Sequence, residues 1–274
     1  MNGGAVYAPL RSAYHAIGYY VTLLLFGLVG LTANVACLLV GWIPPLRRSE
    51  PAFRAMIRWL FRLFLWWLRT TQLCVVEFRG EFRPSGRGGM VVVANHPGLM
   101  DAVYLLAHLP NAICIFKPAI GRNPILGAAS RCAGYLSSDA GIDLIRAAAD
   151  KVASGACLIV FPEGTRTPVD RSMGDLKPGF AAIVQRSGAP LQLVHISGGA
   201  NLLARDWRWW VVPRAFPAKI VIDFGPQLMP QSRIPASELV QLSAAWFQTH
   251  TTRIRSVEER VGAAVSPRSI TIVT

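Results

Sequence analysis

At 274 residues the chain is long enough to bury the core of one catalytic domain, and its 52% hydrophobic content exceeds the usual share of a soluble domain. A formal charge of +13 and a pI of about 10.3 call for an anionic partner. No nucleic-acid motif accompanies that charge, and the basic residues are interleaved with tryptophan and leucine, so the composition points away from nucleic acid and towards an anionic phospholipid membrane.

The first element in chain order is an uncharged stretch from Ala16 to Ile43, long enough for a membrane helix of about 20 residues with some tilt. It lacks a convincing small-residue cleavage site, which favours a retained anchor over a removed signal peptide. Arg47, Arg48, Arg54, Arg58 and Arg62 follow it and Arg11 precedes it, so the positive-inside rule places the downstream domain in the cytoplasm, at a bacterial-type inner membrane. Pro51 to Leu73 reads as a second helix, with proline suited to its first turn. At about 100° per residue Arg54, Arg58, Arg62 and Arg69 share one stripe, and Met56, Trp59, Leu60, Leu63, Phe64, Trp66 and Trp67 cover the rest. That pattern predicts a helix lying in a bilayer interface, or one packed on the catalytic domain with its arginines in solvent; both can hold.

Beyond residue 74 the apolar runs near 75–79, 90–95, 112–117, 156–161, 190–196 and 219–224 predict strands. Helical patterns near 99–108, 124–133, 141–153 and 178–187 lie between several of them. The alternation predicts an α/β domain, a central mostly parallel sheet flanked by helices, closed by an amphipathic helix over 235–260. The expected organisation is an anchor and interfacial helix over 1–74, a catalytic domain over 75–262 and a short tail over 263–274. Cys37, Cys74, Cys114, Cys132 and Cys157 show no Cys-x-x-Cys spacing and read as buried free thiols, with no metal site.

Two segments carry chemistry. In Val91-Val-Val-Ala-Asn-His-Pro-Gly-Leu-Met-Asp101 an apolar strand is broken by Pro97 and Gly98 before a helix begins near Leu99. Five residues on a continuous helix leave two side chains about 140° apart, so His96 and Asp101 meet only if His96 lies in the loop and Asp101 in the first helical turn. In Leu158-Ile-Val-Phe-Pro-Glu-Gly-Thr-Arg-Thr167 a second apolar strand runs into a loop bearing a carboxylate and a guanidinium. Both loops fall outside the carboxyl ends of strands, where open α/β sheets place their ligands. His195, in Ala189-Pro-Leu-Gln-Leu-Val-His-Ile196, reads first as a satisfied core histidine, with help at the site as the second reading.

At these residues the chain resembles the lysophospholipid acyltransferase family, the membrane-bound glycerolipid group that includes 1-acyl-glycerol-3-phosphate acyltransferases. His96 to Asp101 matches the family's His-four-residues-Asp block. Phe161-Pro-Glu-Gly-Thr-Arg166 reproduces a second block unchanged, and Lys117-Pro-Ala-Ile-Gly-Arg-Asn-Pro-Ile-Leu-Gly127 retains much of a third. The resemblance implies transfer of an acyl group from acyl-CoA or acyl-carrier protein to a lipid hydroxyl, with no bound cofactor and no metal. His96 would be the general base and Asp101 its orienting carboxylate, while Lys117, Glu163, Gly164, Thr165 and Arg166 would bind the acceptor. An imidazole of ordinary pKa about 6.5 is fit to take a hydroxyl proton at physiological pH. No Gly-x-Ser-x-Gly elbow occurs and neither Ser nor Cys adjoins His96, which favours direct attack by the acceptor over an acyl-enzyme.

The expected acceptor is 1-acyl-glycerol-3-phosphate, giving phosphatidate. One departure opens an alternative: some relatives carry Gly-x-Ile-Phe-Ile-Asp-Arg where this chain has Gly134-Tyr-Leu-Ser-Ser-Asp-Ala140, so Ala140 replaces an arginine suited to phosphate. A lyso-ornithine lipid or another specialised hydroxylated lipid is the corresponding acceptor. A non-catalytic membrane scaffold and a thioester hydrolase are the readings from other classes. In Asp206-Trp-Arg-Trp-Trp-Val-Val-Pro-Arg214, tryptophans beside basic residues suit the headgroup level of a bilayer or an edge strand covering the core. Replacing Trp207, Trp209 and Trp210 together is expected to release the protein from lipid vesicles or lower its activity on lipid while the fold survives. Unchanged vesicle binding and activity would remove the segment from the membrane footprint.

Overall fold

The computed structural model describes residues 3–40, 43, 49–83, 88–168, 173–198, 208, 210–213, 215–229 and 234–265. Arg47, Arg48, Trp207, Trp209 and the last nine residues of the expected tail lie outside them. The strands are β1 (Cys74–Arg79), β2 (Met90–Ala94), β3 (Ala112–Phe116), β4 (Leu136–Ser137), β5 (Cys157–Val160), β6 (Leu191–Gly198) and β7 (Ala218–Leu228). The helices are α1 (Gly3–Val40), α2 (Glu50–Thr70), α3 (Asp101–His108), α4 (Pro118–Gly121), α5 (Gly127–Cys132), α6 (Gly141–Ala153), α7 (Gly179–Ser187) and α8 (Ala236–Val265).

One seven-stranded sheet has the order β1-β7-β6-β2-β5-β3-β4. All neighbours are parallel except β6 and β7, so β1 and β7 run against the other five. Every residue of β2 and β5 is buried, as strands covered on both faces require. Alternate residues feed two cores. Val92, Ala94, Ile159, Val194 and Ile222 pack beneath Leu68 of α2 and Tyr104, Leu105 and Leu109 in and after α3. Val91, Val93, Leu158, Leu191 and Leu193 pack against Ala148 and Val152 of α6, Phe180 and Ile183 of α7, and Leu239 and Phe247 of α8. This is the expected mostly parallel sheet flanked by helices.

Two local expectations are revised. The stretch 124–133 is not one helix: Asn123 accepts from Ile125 N with its side chain at 2.8 Å and from Gly127 N with its carbonyl at 2.8 Å, so a turn precedes α5. β4 is too short for a period to be read, and it forms because Ile115 and Phe116 offer it an edge.

α1 contains the candidate membrane span, Leu10–Val40, which is long and apolar enough to cross a bilayer by length and composition. One face of it packs on the domain along most of its length. Trp67 Nε1 donates to Thr22 Oγ1 at 3.0 Å, Phe26 meets Phe64 at 5.1 Å between centroids, and Asn34 Oδ1 accepts from Ala128 N and Ala129 N at 2.6 and 3.1 Å. Gly30 lies so close to Ile125 that a Cβ would stand 2.2 Å from its Cγ2, so only glycine permits this approach. The buried Asn34 is thereby explained: it caps the orphan amides at the start of α5. The opposite face exposes Ile17, Val21, Leu24, Leu28, Leu31, Val35 and Leu39.

The arginine stripe of α2 does not face solvent at its first two members, a correction to one of the two sequence readings. Arg54 is 7% exposed and donates to Ala133 O at 2.8 Å, Asn111 Oδ1 at 3.0 Å and Glu50 Oε2 at 2.5 Å. Arg58 donates to His108 O at 2.9 Å. The carbonyls at the ends of α3 and α5 need donors, and the inward guanidinia supply them. Trp59, Leu63 and Trp66 are left exposed. Arg54→Met should therefore lower stability by about 3 kcal/mol, because it strands a buried carbonyl and an amide oxygen. Thermal unfolding of the solubilised protein measures it, and an unchanged midpoint would contradict the assigned role.

Candidate active site

His96 stands two residues past the end of β2, and Asp101 is the first residue of α3. The Pro97-Gly98 break turns the chain so that His96 Nδ1 and Asp101 Oδ2 lie 2.8 Å apart. The same Oδ2 accepts from Gly98 N at 2.7 Å. A carboxylate at a helix start also faces the positive end of the helix dipole. With Asp101 accepting, Nδ1 carries the proton and Nε2 keeps a lone pair. The imidazole stacks on Phe161 with centroids 4.2 Å apart and 21° between planes, which fixes its remaining rotation. The His96 side chain is 19% exposed and that of Asp101 3%, so the base is reachable and its partner is not.

Glu163 lies inward of the neighbouring loop at 6% exposure. Its Oε1 accepts from His96 N at 3.1 Å and from Thr167 Oγ1 at 2.7 Å, and its Oε2 accepts from Gly174 N at 2.8 Å. Thr167 N donates to His96 O at 2.7 Å, closing the connection between the two loops. On the other side Asn95 donates to Ile196 O at 2.9 Å and accepts from Ile196 N at 2.7 Å. The backbone of His96 is thus clamped between the ends of β5 and β6. The carboxylate of Glu163 is engaged by three protein donors, one of them His96 N.

Gly164 and Thr165 are exposed at the turn, and Arg166 is partly buried beside them. Lys117 is exposed at the end of β3, which lies one strand beyond β5 on the same sheet edge. Ala140 caps the start of α6 beyond β4, further along that edge. Sequence reasoning missed Asn95 and Thr167, whose neutral side chains gave no signal. It also missed Lys177, which the fold brings over Gly164: with φ of +67°, a Cβ on that glycine would lie 2.8 Å from Lys177 Nζ. Lys177 thus stands beside a turn that exposes its backbone, an arrangement fit to receive an anionic group.

His195 is 4% exposed on β6 and faces α8, away from His96; its Nε2 lies 3.3 Å from Thr251 Oγ1 and its Nδ1 has no partner. It is therefore not the satisfied histidine that its apolar strand suggested. Cys74, Cys114 and Cys157 are buried, and burial pushes their thiols up to about 11, 12 and 12, which leaves them inert.

Burial raises the carboxyl of Asp101 above its usual value, opposed by the His96 hydrogen bond and by Gly98 N. The native chain then holds that proton more tightly than the unfolded chain. The resulting stability is present below the unfolded value of 3.8 and disappears as pH rises through the native value. Asp101→Asn removes the linkage, so the stability of the native chain relative to this variant should fall as pH rises from 3.8 through the raised native value. Denaturation midpoints across that interval measure it, and a difference growing in favour of the native chain would contradict the direction.

The Acyltransferase family model matches residues 75–197, from β1 to β6 and across both loops of the site. A 1-acyl-sn-glycerol-3-phosphate acyltransferase of Helicobacter pylori is 31% identical over 111 residues, 38% of this chain and 47% of that one. One from Pseudomonas aeruginosa is 24% identical over 254 residues, 88% of this chain and 93% of that one. The chain therefore aligns with about half the length of the first relative and nearly all of the second. The crystal structure of a 1-acyl-sn-glycerophosphate acyltransferase from Thermotoga maritima superposes with a TM-score of 0.68 at 21% identity, over 90% of this chain and 97% of that one, and shows the same fold. Both sequence blocks thus lie inside the span, just under half of the chain, that matches the Acyltransferase family model, and the fold is shared with a solved 1-acyl-sn-glycerophosphate acyltransferase.

Proposed function

We propose that the enzyme moves a fatty acyl group from acyl-CoA or acyl-carrier protein to the hydroxyl of a lysophospholipid, with 1-acyl-glycerol-3-phosphate as acceptor and phosphatidate as product. The 2.8 Å contact between His96 Nδ1 and buried Asp101 carries the reading. Nε2 takes the acceptor's hydroxyl proton as the oxygen bonds to the thioester carbonyl carbon. The carbon–sulfur bond then breaks, and the thiolate recovers the proton from the imidazolium. Asp101 fixes the tautomer and stabilises the imidazolium. Lys117, Arg166 and Lys177 receive the anionic head, and Gly164 and Thr165 offer the turn against which it rests. Glu163 positions the base through the His96 backbone.

The acceptor reaches His96 from a bilayer. The exposed apolar face of α1, with Trp59, Leu63 and Trp66 of α2, supports embedding the N-terminal helices in lipid with the site at the membrane surface, and the basic charge favours an anionic cytoplasmic leaflet. Ala140 favours a second acceptor, a lyso-ornithine lipid or another hydroxylated lipid lacking the phosphomonoester, because it leaves a methyl group where an arginine would face phosphate.

His96→Ala should lower turnover by about 10²–10⁴-fold while the unfolding midpoint stays within error. A panel of lysophosphatidate, other lysophospholipids and lyso-ornithine lipid with labelled donor measures it. A folded variant with native turnover would exclude the base, transfer only to the aminolipid would move the acceptor to the alternative, and no transfer to any would favour the scaffold.

A further inference from the structure

On the face of the sheet away from His96, three side chains that the acyl-transfer account does not use converge. His195 of β6 and Asp223 of β7 are register partners in the antiparallel pair, so their side chains share a face. His250 of α8 lies over them, held by stacking on Trp246 with centroids 4.9 Å apart and 15° between planes. One ligand atom from each of the three lies within 4.8 Å of the others. His195 is 4% exposed, whereas the side chains of His250 and Asp223 are 25% and 17% exposed and leave a path from solvent.

The hydrogen bonds decide which atoms are available. Thr251 Oγ1 donates its proton to Phe247 O at 2.7 Å, so towards His195 Nε2 at 3.3 Å it can only accept. His195 therefore carries its proton on Nε2, and Nδ1 holds a lone pair that is buried and unpartnered. His250 Nε2 is likewise buried without a hydrogen-bond partner, 3.7 Å from Asp223 Oδ2. That separation is too long for a hydrogen bond, yet it is close to what two ligands of one ion show: bonds of about 2.0 Å at a tetrahedral angle set ligand atoms about 3.3 Å apart. Arg79, the register partner of Asp223 on β1, is engaged with Glu77 at 2.8 and 3.1 Å.

We propose that His195 Nδ1, His250 Nε2 and Asp223 Oδ2 bind one divalent transition-metal ion of the zinc class, with water as the fourth ligand. Two imidazoles and a carboxylate are a donor set that suits such an ion, and Thr251 is the outer partner that orients a metal-bound imidazole. The ion fastens α8 to the β6–β7 pair. It also steadies the catalytic loop from behind, because Ile196, next to His195, is the residue gripped by Asn95 beside His96. Ligands at 195, 223 and 250 follow no metal-binding spacing, so strand pairing and helix placement alone bring them together. The inference is independent of the acceptor and of the acyl donor.

The test uses the full, tag-free chain in detergent, stripped with a chelator and titrated with Co²⁺ and then Zn²⁺. The expected result is one equivalent of cobalt with the visible band of a four-coordinate site, its displacement by zinc, and a rise in unfolding temperature on metal addition. His250→Ala, a change at a partly exposed position, should fold and lose both the band and the rise, as should Asp223→Asn, while His96→Ala should keep both. Absence of band and thermal rise in the native chain would overturn the site. So would their persistence in His250→Ala and Asp223→Asn, or their loss in His96→Ala.

Discussion

Glu163 stands 6% exposed between two loops, accepting hydrogen bonds from His96 N, Thr167 Oγ1 and Gly174 N, and the geometry of the site rests on that satisfied carboxylate. An unpaired buried carboxylate would cost several kcal/mol, so the loops after β2 and β5 close on it together or not at all. Once they close, His96 has little backbone freedom, Asn95 secures its other side to β6, and the imidazole is held by Phe161 on its face and by Asp101 at Nδ1. Catalysis by a positioned base needs such fixed geometry, because the proton must move at hydrogen-bond distance.

The strand series and the two polar loops were legible because the sheet is covered on both faces, which makes its strands read as short apolar runs ended by Pro and Gly. The meeting of His96 with Asp101 was legible as a condition, since a loop followed by a helix start is the arrangement that brings residues five apart together. The inward turn of Glu163 was not, because a carboxylate in a polar loop looks the same in sequence whether it faces ligand or protein. Nor was the burial of Arg54, whose stripe with Arg58, Arg62 and Arg69 satisfied the helical period on either face. What decided its direction was the supply of free carbonyls at Ala133 and His108 and of the Asn111 side-chain oxygen, a tertiary fact. Lys177 and the cluster of His195, Asp223 and His250 depend on strand order and helix placement, which no local pattern encodes.

The helices α1 and α2 show the same economy at a larger scale. Asn34, which weakens a membrane reading of α1, and Gly30 serve the contact with the segment that leads into α5, while the opposite face exposes Ile17, Leu24, Leu28, Val35 and Leu39. With Arg54 and Arg58 turned to the domain, Trp59 and Trp66 of α2 stay outward. One pair of helices thus offers polar groups to the catalytic domain and apolar groups to its surroundings. The proposed path of a lipid acceptor follows from that division, since Lys117, Arg166, Lys177 and His96 belong to the domain that this pair attaches.

The central claim is that the site joins a thioester acyl group to a lipid hydroxyl rather than to water. The most direct measurement is mass spectrometry of the lipid extract after the purified protein meets an isotope-labelled acyl thioester and 1-acyl-glycerol-3-phosphate. The account predicts labelled phosphatidate, formed in step with the free thiol and dependent on the acceptor. Labelled free fatty acid released at the same rate with and without acceptor would contradict it.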